Sequence, residues 1–163
     1  MIVLMMGVSG TGKTTIGQAL ATALGWPFFD GDDFHPEANV AKMAAGQPLT
    51  DADRWPWLDR IAVEMRGILA RGEHAVFACS ALKAAYRRRL QDEGDVRLVH
   101  LQGDAATIGA RLAQREHRYM PASLLPSQFA ALELPQDALV IDIRETIATQ
   151  VARIREGLSI PSA

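Results

Sequence analysis

A single cysteine, Cys79, stands among the 163 residues. No internal disulfide can form, and a reducing compartment is expected. No apolar run approaches the length that spans a membrane. The first apolar stretch begins at residue 2, which leaves no room ahead of it for the charged and apolar regions of a secretory leader. A cytoplasmic chain is the expectation. Charge is also scarce in net terms, at −2, which argues against a general nucleic-acid binder. The one dense basic cluster, Arg87-Arg88-Arg89, reads as a solvated helix face. There is no internal repeat and no low-complexity linker, so residues 1–163 are expected to form one domain with a sizeable core.

What is present is glycine in a telling place. Gly7-Val8-Ser9-Gly10-Thr11-Gly12-Lys13-Thr14 fits G-x-x-x-x-G-K-[ST], the phosphate-binding loop. Without a Cβ, Gly7, Gly10 and Gly12 allow left-handed turns and close approach of the backbone to a ligand. Successive N–H groups then form an anion nest. Lys13 adds a positive charge that reaches the β- and γ-phosphates, and Thr14 offers a hydroxyl to Mg²⁺. A helix opening near Thr14 directs its positive dipole end at the same phosphates. The nucleotide-binding set is therefore Gly7, Val8, Ser9, Gly10, Thr11, Gly12, Lys13, Thr14 and Thr15. The flanks agree with the motif. Ile2 to Met6 is a continuous apolar run, as in a buried parallel strand. Ile16, Leu20 and Leu24 follow at helical spacing, and Gly25 is a stop signal.

The rest of the chain alternates in the same way. Trp26 to Phe29 reads as a strand ending in Asp30-Gly31-Asp32-Asp33. Carboxylates at the C-terminal end of a parallel strand sit where ligands bind in open α/β sheets. Pro36 starts a helix that Gly46 ends, and Pro48 to Asp51 is a turn. A longer helix is expected from near Asp53 to Arg71, with Gly72 as its cap. Residues 75–79 and 96–101 read as strands, and Lys83 to about Asp92 as helix. Asp104 is a candidate cap for a helix carrying Ile108 and Leu112. Glu116 to Pro126 reads as irregular, and Leu124, Gln128 and Leu132 mark a further helix. Residues 138–141 form the last strand. Asp142, with Glu145 three residues on, reads as the start of the closing helix. These elements predict a three-layer α/β/α fold around a five-stranded parallel sheet with right-handed crossovers.

Phosphate-loop proteins include switches, motors and small-molecule kinases. An Asn-Lys-x-Asp guanine reader is absent, which argues against a GTP switch. The usual apolar strand ending in Asp is not obvious either, since residues 77–80 end in Ser80. Asp30, Asp32 and Asp33 are placed to take over that work, holding Mg²⁺ through water and orienting an attacking hydroxyl. A solvated acidic turn is the alternative.

Five stretches resemble the gluconokinase family of phosphate-loop kinases. They are GVSGTGKT from Gly7, DGDDFHPEAN from Asp30, KMAAGQPLTDADRWPWL from Lys42, CSALKAAYRRRL from Cys79 and YMPASLLPSQFAALE from Tyr119. Together they cover most of residues 7–133. The resemblance implies transfer of the γ-phosphoryl of ATP to the terminal hydroxyl of D-gluconate, with Mg²⁺ and, for many members, a homodimer. It implies a small lid at about 116–126. By similarity Lys13, Asp32 and Arg115 are the catalytic candidates, with Asp32 orienting or deprotonating the hydroxyl. Thr14 and Asp30 are the metal candidates. Asp32, His35, Arg54, Lys83 and Arg87 are the candidates for holding the sugar acid. For Arg54 an ion pair with Asp51 or Asp53 is an equal alternative, and for His35 a hydrogen bond within the turn. Trp55 and Trp57 read as packing. Arg111 and Arg115, one helical turn apart, are expected to face the nucleotide, although two surface arginines would read the same way.

The chain departs from the family pattern twice. His117 and Arg118 stand where Gly and His are expected, and the connection after Glu133 is short. Two other readings share most of these features: a kinase for another hydroxylated metabolite, and a nucleotide-binding module without catalysis.

Overall fold

The computed structural model describes residues 1–114 and 122–161. Five strands, β1 (Ile2–Met6), β2 (Phe28–Asp30), β3 (Ala75–Ala78), β4 (Val96–Gln102) and β5 (Leu139–Asp142), form one sheet. Their order is β2-β3-β1-β4-β5, and every neighbouring pair is parallel. Seven α-helices surround it among the described residues: α1 (Lys13–Leu24), α2 (Glu37–Ala44), α3 (Asp51–Ala70), α4 (Ala84–Gln91), α5 (Ala105–Ala113), α6 (Leu125–Ala131) and α7 (Ile147–Gly157). This is the three-layer arrangement expected from alternating strands and helices.

Strand β1 lies at the centre and is buried along its whole length. Its side chains alternate between two cores, as the two-residue period of a strand dictates. Val3 and Met5 meet Ile16, Leu20 and Leu24 of α1, Ile108 and Leu112 of α5 and Ile154 of α7. Ile2, Leu4 and Met6 meet Leu58, Ile61 and Met65 of α3 and Leu90 of α4. A sheet covered on both faces leaves its C-terminal strand ends as the natural place for a ligand. The glycine loop follows β1 directly and so lies there.

The expected boundaries move in four places. Trp26 and Pro27 lie ahead of β2, which begins at Phe28, so the short strand carries Asp30 inside it. Helix α3 starts at Asp51 rather than Asp53, because Thr50 and Asp53 close a reciprocal cap. The Thr50 hydroxyl accepts from the Asp53 N–H at 3.2 Å, and the Asp53 carboxylate accepts from the Thr50 N–H at 2.9 Å. That closure fixes the first turn from its N-terminal side. The irregular stretch ends sooner than expected: residues 122–124 form a 3₁₀ turn, and Pro126 lies inside the first turn of α6. Proline is tolerated there because the first-turn N–H groups have no helical acceptor. Finally, Asp142 does not open the closing helix. It ends β5 and is taken by Arg144, while Thr146 caps α7 by accepting from the Thr149 N–H at 3.2 Å.

Candidate active site

The glycine loop has the backbone that its composition requires. Gly7, Gly10 and Gly12 have φ of +147°, +83° and +92°, which L-residues with a Cβ rarely adopt. A Cβ on Gly10 would also lie 2.9 Å from Leu112 Cδ2, so the loop is packed closely against α5. The Thr11 hydroxyl donates to the Val8 carbonyl at 2.9 Å and closes the loop from within. Lys13 Nζ donates to the same carbonyl at 3.0 Å. Burial lowers the Lys13 pKa, and the Asp32 charge opposes that shift.

Asp30 reaches the loop from β2. Its Oδ2 accepts from the Thr14 hydroxyl at 2.9 Å, and its Oδ1 accepts from the Asp32 N–H at 3.0 Å. One carboxylate thus binds the start of α1 and caps the short 3₁₀ turn Gly31–Phe34. The Trp57 indole N–H donates to the Gly31 carbonyl at 2.7 Å and fixes that turn to α3. Gly31 has no room for a side chain, since a Cβ there would lie 2.5 Å from the Ala78 carbonyl. The acidic turn is therefore a built feature rather than a loosely solvated one. Asp30 and Asp32 both line the cleft with Lys13.

His35 follows the turn, with only 3% of its side chain exposed. Its ring stacks on Trp57 with centroids 4.2 Å apart. Asn39 Nδ2 donates to the Asp53 carbonyl at 2.8 Å and lies 3.3 Å from His35 Nδ1. That amide nitrogen can only donate, so Nδ1 accepts and the neutral ring carries its proton on Nε2. Nε2 lies 3.9 Å from Asp32 Oδ1. Burial, and after it the Arg54 charge, lowers the His35 pKa from 6.5 to about 4. Between these values the unfolded chain binds the extra proton, so this stabilisation is full above pH 6.5 and is lost as pH falls toward 4. The shift is worth about 2 kcal/mol once partial screening is allowed for. His35→Gln is expected to flatten the rise of unfolding free energy across that window, measured by urea denaturation at stepped pH. Asp53 and Asp142, held down to about 2 by Lys42 and Arg144, titrate below it. An unchanged slope in the variant would show that His35 does not carry the effect.

The far wall of the cleft is cationic. Arg54 makes neither of the ion pairs considered for it. Asp51 pairs with Lys83 at 2.9 Å, and Asp53 pairs with Lys42 at 2.7 Å. Arg54 donates to the Leu49 carbonyl at 2.7 Å and to the Tyr86 hydroxyl at 3.4 Å, and its guanidinium lies 5.6 Å from the Tyr86 ring centre. The Tyr86 hydroxyl donates to Asp51. Arg54 and Lys83 both line the cleft, and Asp51 stands beside them as an internal carboxylate partner. The Tyr86 hydrogen bond, and after it the Lys83 ammonium, holds the Asp51 carboxyl below its usual range.

Two arginines are not brought to this cleft. Arg87 is buried and donates to the Ala81 and Leu82 carbonyls at 3.1 and 2.9 Å. It braces the turn from which Lys83 projects. Arg111 donates to the Ile143 carbonyl at 2.7 Å and ties α5 to the segment after β5. Arg115 and residues 116–121 of the expected lid lie outside the described residues.

Gln128 is a site residue that pattern reading missed, whereas the pattern left the role of Tyr86 undecided. Gln128 Oε1 accepts from the Ser9 N–H in the glycine loop at 2.6 Å. The available signal was a polar residue midway along the Leu124, Gln128, Leu132 stripe. Tyr86 lies one turn beyond Lys83 on α4, and that spacing places the two on one face.

A cation fits beside Thr14. Its hydroxyl and the Asp30 carboxylate converge there, and both are hard oxygen donors. Among the described residues no three His, Cys, Asp or Glu side chains form a metal cluster of their own. This donor set suits Mg²⁺, which binds through one or two protein oxygens and completes its shell with phosphates and water.

The glycine loop between β1 and α1, the carboxylates after β2 and the parallel order 2-3-1-4-5 define a phosphate-loop kinase fold. A family described as an AAA domain matches residues 2–135. Gluconokinase of Gluconobacter oxydans (strain 621H) is 53% identical over 134 residues, 82% of this chain and 75% of that protein. Thermosensitive gluconokinase of Escherichia coli (strain K12) is 42% identical, covering 95% of this chain and 86% of its own. The crystal structure of a gluconokinase from Sinorhizobium meliloti 1021 superposes with a TM-score of 0.86 at 40% identity, covering 96% of this chain and 90% of that one. The chain belongs to the gluconokinase family.

Proposed function

We infer that this chain phosphorylates D-gluconate at its terminal hydroxyl, using ATP, to give 6-phospho-D-gluconate. One observation carries the reading beyond the family: a single cleft of about 330 Å³ is lined by the glycine loop, by Asp30 and Asp32, and by Arg54 and Lys83. A triphosphate needs the first, an attacking hydroxyl the second, and an anionic acceptor the third.

The residues divide the work of an in-line transfer. Backbone N–H groups of the loop and Lys13 hold the β- and γ-phosphates, and Lys13 offsets charge on the phosphoryl as it moves. Asp32 accepts the proton of the acceptor hydroxyl, and His35 Nε2 lies 3.9 Å from its carboxylate. Arg54 and Lys83 bind the sugar-acid carboxylate and fix which end faces the phosphoryl. Thr14 and Asp30 would hold Mg²⁺, which supplies charge neutralisation on the phosphate oxygens when bound. We assign Arg115 to the lid, as a second cation for the transferring group.

The reading extends to a cytoplasmic homodimer. Among the described residues no helix is long and apolar enough to cross a membrane, and Cys79 is free and buried.

The test is a coupled ADP-release assay with Mg·ATP, comparing D-gluconate with shikimate and other sugar acids. Turnover on gluconate well above the others is expected. ATP binding without gluconate turnover would move the assignment to another acceptor or to a binding module.

A further inference from the structure

We infer that Gln128 is a catalytic residue that contacts the transferred phosphoryl group, holding the glycine loop with one end of its amide and the γ-phosphoryl of ATP with the other. The inference rests on the phosphoryl-transfer reading above. Its starting point is the 2.6 Å contact from the Ser9 N–H to Gln128 Oε1. A backbone N–H only donates, so the amide atom facing Ser9 must be the oxygen. The amide plane is then fixed, and its NH₂ group has no hydrogen-bond partner among the described residues. That group is not sealed away from solvent either. Gln128 is half-buried and lines the same cleft as Ser9, Lys13 and Asp32.

The chemistry of the neighbours selects the residue type. Phosphate oxygens accept hydrogen bonds and do not donate, and the inward N–H groups of the glycine loop are donors. A side chain set between them has to accept on one side and donate on the other. An amide does both. A carboxylate would satisfy Ser9 and repel the phosphoryl, and an alkyl side chain would leave both unmet. The carrier is well seated: α6 is anchored to the core by Leu125, and its first turn is closed by the Ser127 hydroxyl donating to the Leu124 carbonyl at 2.7 Å. A donor on such a support is positioned before the reaction begins, where a hydrogen bond to a developing charge is most effective.

The test compares binding of Mg·ADP with binding of a non-hydrolysable β,γ-imido analogue of Mg·ATP, by isothermal titration. In Gln128→Ala the analogue is expected to bind about tenfold or more weakly, the usual loss for a hydrogen bond to a charged group. ADP affinity should stay within about twofold, since only the analogue carries the third phosphate. Gln128→Glu keeps an acceptor for Ser9 and should not rescue the analogue. Equal losses for both nucleotides would reduce Gln128 to an anchor for the loop and overturn the inference. So would wild-type affinities in either variant. These arms contain no gluconate, so a wrong acceptor assignment leaves them readable. Failure of the wild-type protein to bind either nucleotide would instead remove the nucleotide-site reading itself. With gluconate present, kcat of Gln128→Ala should fall about 10- to 100-fold.

Discussion

Lys13→Ala is expected to lower kcat with gluconate by about three orders of magnitude, the range seen when one charge-stabilising donor is removed from a preorganised site. The fold should survive. Among the described residues the Lys13 side chain makes one hydrogen bond, to the Val8 carbonyl at 3.0 Å. The Thr11 hydroxyl already serves that carbonyl at 2.9 Å. Burial lowers the Lys13 pKa, so the folded protein gains little by holding this charge without phosphate. Removing it therefore costs phosphate binding and catalysis rather than stability. Steady-state kinetics and a melting curve on one preparation make the comparison. Near-normal turnover would remove Lys13 from the mechanism, and loss of the melting transition would show that the loop depends on it for folding.

The second large effect is expected at Asp32. Asp32→Asn should abolish most transfer, by about 10² to 10⁴, the usual contribution of a positioned general base. ATP affinity should barely change. The backbone N–H of Asp32, not its carboxylate, completes the Asp30 cap at 3.0 Å, so the turn keeps its anchor when the side chain becomes an amide. The carboxylate lies 3.9 Å from His35 Nε2 and is 57% exposed in the cleft, within reach of a hydroxyl. The two oxygens of Asp30 bind Thr14 and the turn. Asp30→Asn is therefore expected to weaken the Mg²⁺ dependence as well as the rate. Normal turnover by Asp32→Asn, with a deep loss in Asp30→Asn or Asp33→Asn, would move the base to the neighbouring carboxylate.

Much of this arrangement is legible in the chain because its determinants are local. A glycine pattern dictates a backbone, and an apolar run of five dictates a buried strand. Gly25 ends α1 with φ of +67°, as its position suggests. The elements that shifted are those decided by contacts distant in sequence or by competing caps. Thr50 and Asp53 draw α3 forward, and Arg144 takes Asp142 out of the capping role. The site was harder to read than the fold for the same reason. Whether Arg54 and Arg87 face the substrate depends on which carbonyls lie within reach, and sequence spacing does not encode this. Arg87 has the two carbonyls of Ala81 and Leu82 beneath it, whereas Arg54 has Leu49 and the Tyr86 ring. Gln128 shows the limit most clearly, since its partner Ser9 is 119 residues away.

The floor of the cleft carries the one thiol of the chain. Cys79 is buried and lines the cleft with Lys13 and Asp32, and burial pushes its pKa up to about 12. A protonated, enclosed sulfur is a poor nucleophile and a poor target for peroxide or alkylating agents. Maleimide is therefore expected to leave Cys79 unmodified in the folded protein, which mass spectrometry after labelling checks. A cysteine placed anywhere on the surface becomes the single reactive handle, so a fluorophore or spin label on α6 would report that helix alone.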